Sequence, residues 1–224
     1  MIIPTEKKHN KFEKFCLDTL FPSFCVGCGK EGTFLCDDCR AKIVIKRVPQ
    51  KPDNKSVLNK IYVATDYSQR PVSELITGLK FHSIADMKYP LAKILIHHLS
   101  LVNFQPPKNC IIMPVPLHKR REIKRGFNQA DLLAKEIAEF FKIPYCEDIL
   151  KRAKNTKPQT ETSNHNQRLE NIKNAFVCRK PELVAWKRII IVDDVMTTGA
   201  TLNECARALK SSGARSVTAF VVAN

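Results

Sequence analysis

The sequence predicts an α/β protein, with a mostly parallel sheet flanked by helices and a small N-terminal metal-held module. Three observations carry this expectation. From residue 60 onward, short apolar runs alternate with segments of helical period, the pattern of strands joined by crossover helices. Four of the nine cysteines fall close together as two C-x2-C pairs. One apolar run ends in two aspartates and a threonine-glycine turn.

Taken in order, residues 12–21 place Phe12, Phe15, Cys16, Thr19 and Leu20 at helical spacing, and Pro22 ends the pattern. A short amphipathic helix leading into the cysteines is expected there. Around residues 46–58, two prolines, an Asp-Asn pair and several basic residues read as a linker. Residues 60–66 read as a strand. Residues 71–81 and 88–102 read as helices, the second with Leu91, Leu95, Ile96 and Leu99 on one face. Cys110 to Pro116 is a short buried-type strand ending in prolines. Residues 128–142 form a helix with Asn128 as N-cap and Leu132, Leu133, Ile137 and Phe140 facing inward. Residues 151–171 are polar and basic with little periodicity, a long loop whose length hints at function. Arg188 to Asp194 is a strand, residues 200–212 a helix stopped by Gly213, and residues 215–223 a last strand. The division expected is residues 1–50 for the helix and cysteine module, 51–58 for the linker and 59–224 for the α/β domain.

The formal charge is +15 on 224 residues, and 44% of the chain is hydrophobic. That apolar content excludes wholesale disorder. The charge points to polyanions: nucleic acid, a membrane surface or phosphorylated small molecules. Residues 1–20 are charged throughout and lack the apolar core of a secretory signal. No run approaches the ~18 apolar residues of a spanning helix. A soluble, cytoplasmic protein without a membrane span is expected, and in a reducing compartment clustered cysteines bind metal rather than pair as disulfides.

Cys25, Cys28, Cys36 and Cys39 follow C-x2-C-x7-C-x2-C. Two intervening residues let both sulfurs of a turn face one ion, and Gly27 and Gly29 allow the tight backbone that the turn needs. The gap of seven is shorter than the usual ribbon spacing. Four thiolates suit structural Zn²⁺ and leave no open position for catalysis. So small a module draws its stability from the metal.

Ile189 to Val192 deliver Asp193 and Asp194 to the carboxyl end of a strand, where open α/β sheets bind ligands. Thr197, Thr198, Gly199, Ala200 and Thr201 then enter a helix. Gly199 permits close approach of backbone to an oxyanion, and helix-start N–H groups and threonine hydroxyls supply donors. The two parts suit a sugar phosphate, with phosphate in the loop and sugar hydroxyls on the carboxylates.

This stretch resembles the phosphoribosyl-pyrophosphate (PRPP) signature of type I phosphoribosyltransferases. The resemblance implies that Asp193 and Asp194 hold the ribose hydroxyls, that Thr197 to Thr201 grip the 5′-phosphate, and that Mg²⁺ accompanies PRPP. Pro114-Val-Pro-Leu-His118 with Arg125-Gly-Phe-Asn-Gln129 resembles the ComF family of competence proteins. So do Leu20-Phe21-Pro22, and Gln167-Arg168 with Asn171 before Ala175-Phe176. Essentially the whole chain is covered, with the motifs in the family's order. The resemblance implies a cytoplasmic factor for DNA uptake that acts on single-stranded DNA, with other competence or recombination proteins as partners. It places the pyrophosphate loop at Val115, Pro116, Leu117, His118 and Lys119, and a mobile loop at residues 151–168. Lys80-Phe81-His82-Ser83 departs from the family in lacking the glycine that often follows its Leu-Lys, which leaves the role of Lys80 open.

Lys119, Arg120, Arg121, Lys124 and Arg125 crowd into seven residues beside Phe127, which could stack on a base. Lys151, Arg152, Lys154 and Lys157 form a second cluster. Either could serve PRPP's charge, a DNA strand or both, since phosphate contacts carry little positional signature. His118 could act as an acid or base, but the reading preferred is an ordinary solvent-exposed histidine beside a loop. Two functions of different class remain: an Mg²⁺-dependent phosphoribosyltransferase in which Arg152, Lys154 or Lys157 neutralises the leaving pyrophosphate, and a non-catalytic module that senses PRPP and holds DNA.

Overall fold

A computed structural model describes residues 22–153 and 173–224. The helix expected at 12–21, Lys154, Lys157 and the Gln167, Arg168 and Asn171 motif lie outside the described residues. The chain divides into two compact units, Met1–Ile43 and Val44–Asn224.

The described part of the first unit is a turn followed by a short helix. Phe24 bridges Glu31, the Gly29 amide donates to Cys25 O at 2.8 Å, and the Cys25 amide donates to Lys30 O at 2.8 Å. Helix α1 (Asp37–Ala41) begins immediately after Cys36 and carries Asp37 and Asp38 in its first turn, which complements its dipole.

The second unit is built on strands β1 (Lys60–Thr65), β2 (Cys110–Pro114), β5 (Arg188–Val195) and β6 (Ser216–Ala223). They form one parallel sheet in the order β1-β6-β5-β2. The register sets Ile190 between Ile112 and Thr218. With a neighbour on each side and helices on both faces, β5 must be apolar throughout its middle, and Ile189 to Val192 are all buried. Helices α2 (Arg70–Phe81), α3 (Lys88–Leu101), α4 (Lys119–Arg125), α5 (Gln129–Phe141) and α6 (Ala200–Ser211) supply the crossovers. On one face, Leu202, Cys205 and Leu209 of α6 pack on Ile189, Ile191, Val217 and Val221. On the other, Tyr62, Phe104 and Phe220 meet edge to face at 5.0–5.6 Å beneath α3 and α5. The expected parallel sheet with flanking helices is therefore the observed fold.

Three details differ from expectation. On α3 the buried stripe is Leu91, Ile94, Leu95, His98 and Leu99, with Ile96 only half-buried, because the helix is covered by both the sheet and α5. On α5 the inward residues are Leu133, Ala134, Ile137 and Ala138. Leu132 is half-buried and Phe140 is 58% exposed, because Phe141 takes the inward place, 5.5 Å from Phe104. Part of the expected 151–171 loop is strand: β3 (Leu150–Arg152) pairs antiparallel with β4 (Phe176–Cys178). Three residues are too few to show a period of two.

The stretch before β1 is tied to the sheet. Lys46 N donates to Ala64 O at 2.8 Å, Gln50 N to Ile61 O at 2.9 Å, and Thr65 Oγ1 to Val44 O at 2.7 Å. At the other end of the segment, Asn203 Oδ1 accepts from Ser56 Oγ at 2.7 Å and Val57 N at 3.0 Å, while its Nδ2 donates to Gly199 O at 3.2 Å. One amide thus joins this segment to the turn that opens α6. Asn203→Ala leaves those groups unpaired at a cost on the order of 1–3 kcal/mol. The expected melting-temperature loss is at least 2 °C by calorimetry, and no loss means that the junction is not stabilising.

Candidate functional site

Parallel pairing carries β5 past the body of the sheet and leaves Asp193 and Asp194 at its carboxyl end. Asp194 is buried. Its Oδ1 accepts from Val195 N at 2.8 Å, and its Oδ2 meets Lys80 Nζ at 2.9 Å. Asp193 Oδ1 accepts from Asp194 N at 2.9 Å. Burial, and then the neighbouring Asp194 charge, push the Asp193 carboxyl up to about 8, against the pull of Lys80. The pair can therefore keep a proton near neutrality, and a ligand or cation that takes both acids displaces it. Lys80, whose role the sequence left open, is thus the counter-ion of the buried aspartate.

The turn after the acids hangs on the sheet through Met196 N, which donates to Ala223 O at 2.9 Å. Gly199, the residue capping α6, sits at φ +72°, a left-handed conformation that favours glycine, and offers no side chain to the helix start. Ala200 N is met by Thr198 Oγ1 at 3.4 Å. The crevice lined by Asp193, Val195, Met196, Thr197, Gly199 and Thr201 encloses about 10 Å³, room for a single water. A phosphate would lie over this turn or reshape it.

Opposite the acids, Val115 is buried and Pro116, Leu117 and His118 are half-buried between β2 and α4. His118 Nδ1 accepts from Arg120 N at 3.2 Å, so this histidine caps α4 and carries its proton on Nε2. Burial and the positive charges of Arg152, Arg120 and Arg121 lower its pKa. Asn128 caps α5 through Ala130 N and donates to Val115 O at 3.0 Å, which fixes this loop to the helix behind it. Arg152, on β3, has its pKa lowered by burial and by Arg121 and raised by Asp193; its guanidinium lies 5.4 Å from the Phe176 ring. Arg152 thus feels the charges of both Arg121 and Asp193, and His118 feels those of Arg152, Arg120 and Arg121. A cavity of about 290 Å³ opens between that loop and β3, lined by Leu117, Lys119, Asp131, Glu147, Arg152 and Arg179.

The remaining cations divide. Arg125 donates to Gln129 Oε1, and its guanidinium lies 5.8 Å from the Phe81 ring. Burial lowers its pKa and the Asp194 charge raises it. Lys119, Arg120, Lys124 and Lys151 are exposed. Phe127 is half-buried after Gly126, whereas Phe81, which the sequence reading passed over, is 69% exposed.

In the first unit, Cys25, Cys28, Cys36 and Cys39 bring their sulfurs within 4.8 Å of one another. Cys36 Sγ lies 3.7 Å from both Cys25 Sγ and Cys28 Sγ. Four thiolates at the usual Zn–S distance stand ~3.8 Å apart. A Cβ at Gly27 would come within 2.7 Å of Cys39 Sγ, so the cradle admits only glycine there. Cys36 N points at Cys25 Sγ at 3.4 Å. Burial opposes ionisation of Cys25, but the backbone N–H groups of Cys36, Gly27 and Cys28 outweigh it and bring the thiol to about 6. The donor set fits a metal held by four sulfurs.

Residues 124–224 match the family described as phosphoribosyl transferase domain. The chain is 33% identical to Competence protein F of Haemophilus influenzae over 209 residues, covering 88% of this chain and 82% of that protein. It is 31% identical to the DNA utilization protein YhgH of Escherichia coli over 204 residues, covering 87% and 86%. Among solved structures, the allosteric regulatory enzyme of purine biosynthesis superposes at a TM-score of 0.40 with 19% identity over 62% of this chain; the chain spans about a quarter of that enzyme's length. Among the described residues, no helix is long and apolar enough to cross a membrane.

Two outcomes are expected. Wild-type protein carries about one zinc per chain by elemental analysis, and Gly27→Ala carries well below that; equal content in both rejects the cradle. For Asp193, the folded protein keeps a proton that the unfolded chain has released, so its contribution to stability falls as pH rises from about 4 to about 8. Asp193→Asn should melt with wild type near pH 4 and above it, by about 10 °C or more, at pH 8. A variant melting below wild type at pH 8 excludes the raised carboxyl.

Proposed function

Because the chain belongs to the ComF family of competence proteins, we propose that it serves natural transformation in the cytoplasm by binding PRPP with Mg²⁺ and single-stranded DNA. The observation that carries this reading is the end of β5: two carboxylates, one buried against Lys80 and one with a raised pKa, followed at once by the Gly199 turn. Asp193 and Asp194 would hold the ribose hydroxyls. Thr197, Thr198, Gly199, Ala200 and Thr201 would receive the 5′-phosphate at the start of α6. Arg121 and Arg152, with the Val115 to Lys119 loop, would face the pyrophosphate. Mg²⁺, held with PRPP beside Asp193 and Asp194, would offset the charge of the ligand. The exposed Arg120 and Lys124 are then left to serve the phosphates of a strand. The four-cysteine cluster holds structural Zn²⁺ in this reading.

One observation favours a catalytic version. The cavity of about 290 Å³ beside Leu117 and Arg152 is large enough for a nitrogenous acceptor, and its carboxylates could orient one. Departure of pyrophosphate from C1 would then be assisted by Arg152. Release of pyrophosphate from PRPP on adding one of a panel of nucleobases and amines separates an enzyme from a sensor.

The binding reading has its own check. PRPP with Mg²⁺ at about 100 times its Kd should raise the melting temperature by about 5–10 °C. The Asp193→Asn/Asp194→Asn variant should show no rise. An equal rise in both removes these acids from the site.

A further inference from the structure

We propose that Phe81 and Arg125 form a stacking platform for one base of a single-stranded DNA, placed beside the acidic end of β5. The inference rests on the DNA reading above and adds where a base sits. An isolated exposed phenylalanine needs no explanation. This ring differs because of what holds it and what borders it. It is the last residue of α2, 69% exposed, and the next residue inward, Lys80, is the partner of buried Asp194. The Arg125 guanidinium lies 5.8 Å from its centre. That guanidinium is held in turn by Gln129 Oε1. The two helix ends are tied together by Ser83 Oγ, which donates to Arg125 O at 3.1 Å from a left-handed backbone at φ +54°. A solvent-open ring with a half-buried guanidinium held against it offers a flat surface that needs little ordering when a base lands on it.

The surroundings select a strand over a free base. Arg120 and Lys124 are exposed on α4, the helix that Arg125 ends, so phosphates flanking a stacked base find cations on the same short element. Ile123, 72% exposed on that helix, adds apolar surface for a neighbouring sugar or base. Stacking is indifferent to base identity, which suits a protein handling incoming DNA of any sequence.

The test uses the full chain and an oligothymidylate carrying one 2-aminopurine, whose fluorescence falls on stacking. Wild type should quench the probe on binding. Phe81→Ala should lose the quench and bind about 5- to 150-fold more weakly. Its salt slope should stay unchanged, because no phosphate contact has been removed. Phe81→Trp should restore both quench and affinity, whereas Phe81→Leu, apolar but without a ring, should not. Affinity and quench that survive in Phe81→Ala overturn the platform and leave the DNA reading intact. Absence of any binding by wild type overturns both. Free 2-aminopurine nucleotide quenched as tightly as the oligonucleotide overturns the strand as occupant and assigns the surface to a small molecule.

Discussion

The burial of one carboxylate organises the second unit. Asp194 sits at the end of a strand with neighbours on both sides, out of reach of bulk water, and an isolated charge there would be too costly to keep. Lys80 answers it from the end of α2 at 2.9 Å. That single pair fixes where α2 stops relative to β5. The stop of α2 in turn positions Phe81 and Ser83, and Ser83 reaches the end of α4. Asp193 follows suit: its own burial first, and then the Asp194 charge beside it, hold its proton more tightly. A buried ion pair is weak evidence for stability but good evidence for a site, since only one geometry satisfies it.

The two units solve the problem of staying folded by different means. The second has interleaved faces of Ile, Val, Leu and Phe on both sides of its sheet. The described part of the first has five buried hydrophobic residues, Cys25, Leu35, Cys36, Cys39 and Ile43, and three of them are cysteines. The apolar residues described there offset little of the chain entropy of ordering the turn, and a cation held by the four sulfurs would supply the rest. Gly27 shows how tight the closure is, since even a methyl group would collide with Cys39.

What could be read in advance was what is local along the chain. The β5 acids, the turn into α6 and the cysteine pairs are each contiguous, so their chemistry shows in their spacing. The core strands were legible for the same reason, as runs of apolar residues. What escaped depends on contacts between distant segments. Lys80 could not be matched to Asp194 without the sheet order that brings α2 to the end of β5. Strands β3 and β4 are three residues each and exist only by pairing with one another. Phe140 and Phe141 are neighbours in sequence, and only the position of Phe104 decides which of them turns inward. His118 is a further instance: its residue type suggests acid–base chemistry, yet its Nδ1 is occupied in capping α4.

The margins of the parallel sheet are occupied. Alongside β1, the segment carrying Lys46 and Gln50 pairs with Ala64 and Ile61, and alongside β2, Tyr145 bridges Ile112. Strand addition, a common way for proteins to recruit extended peptides, therefore meets a segment of this chain already lying at each margin. Partners in any larger assembly must engage side chains of helices and loops instead, where recognition depends on shape and charge. The same closure protects a sheet of Val and Ile strands from joining that of another copy.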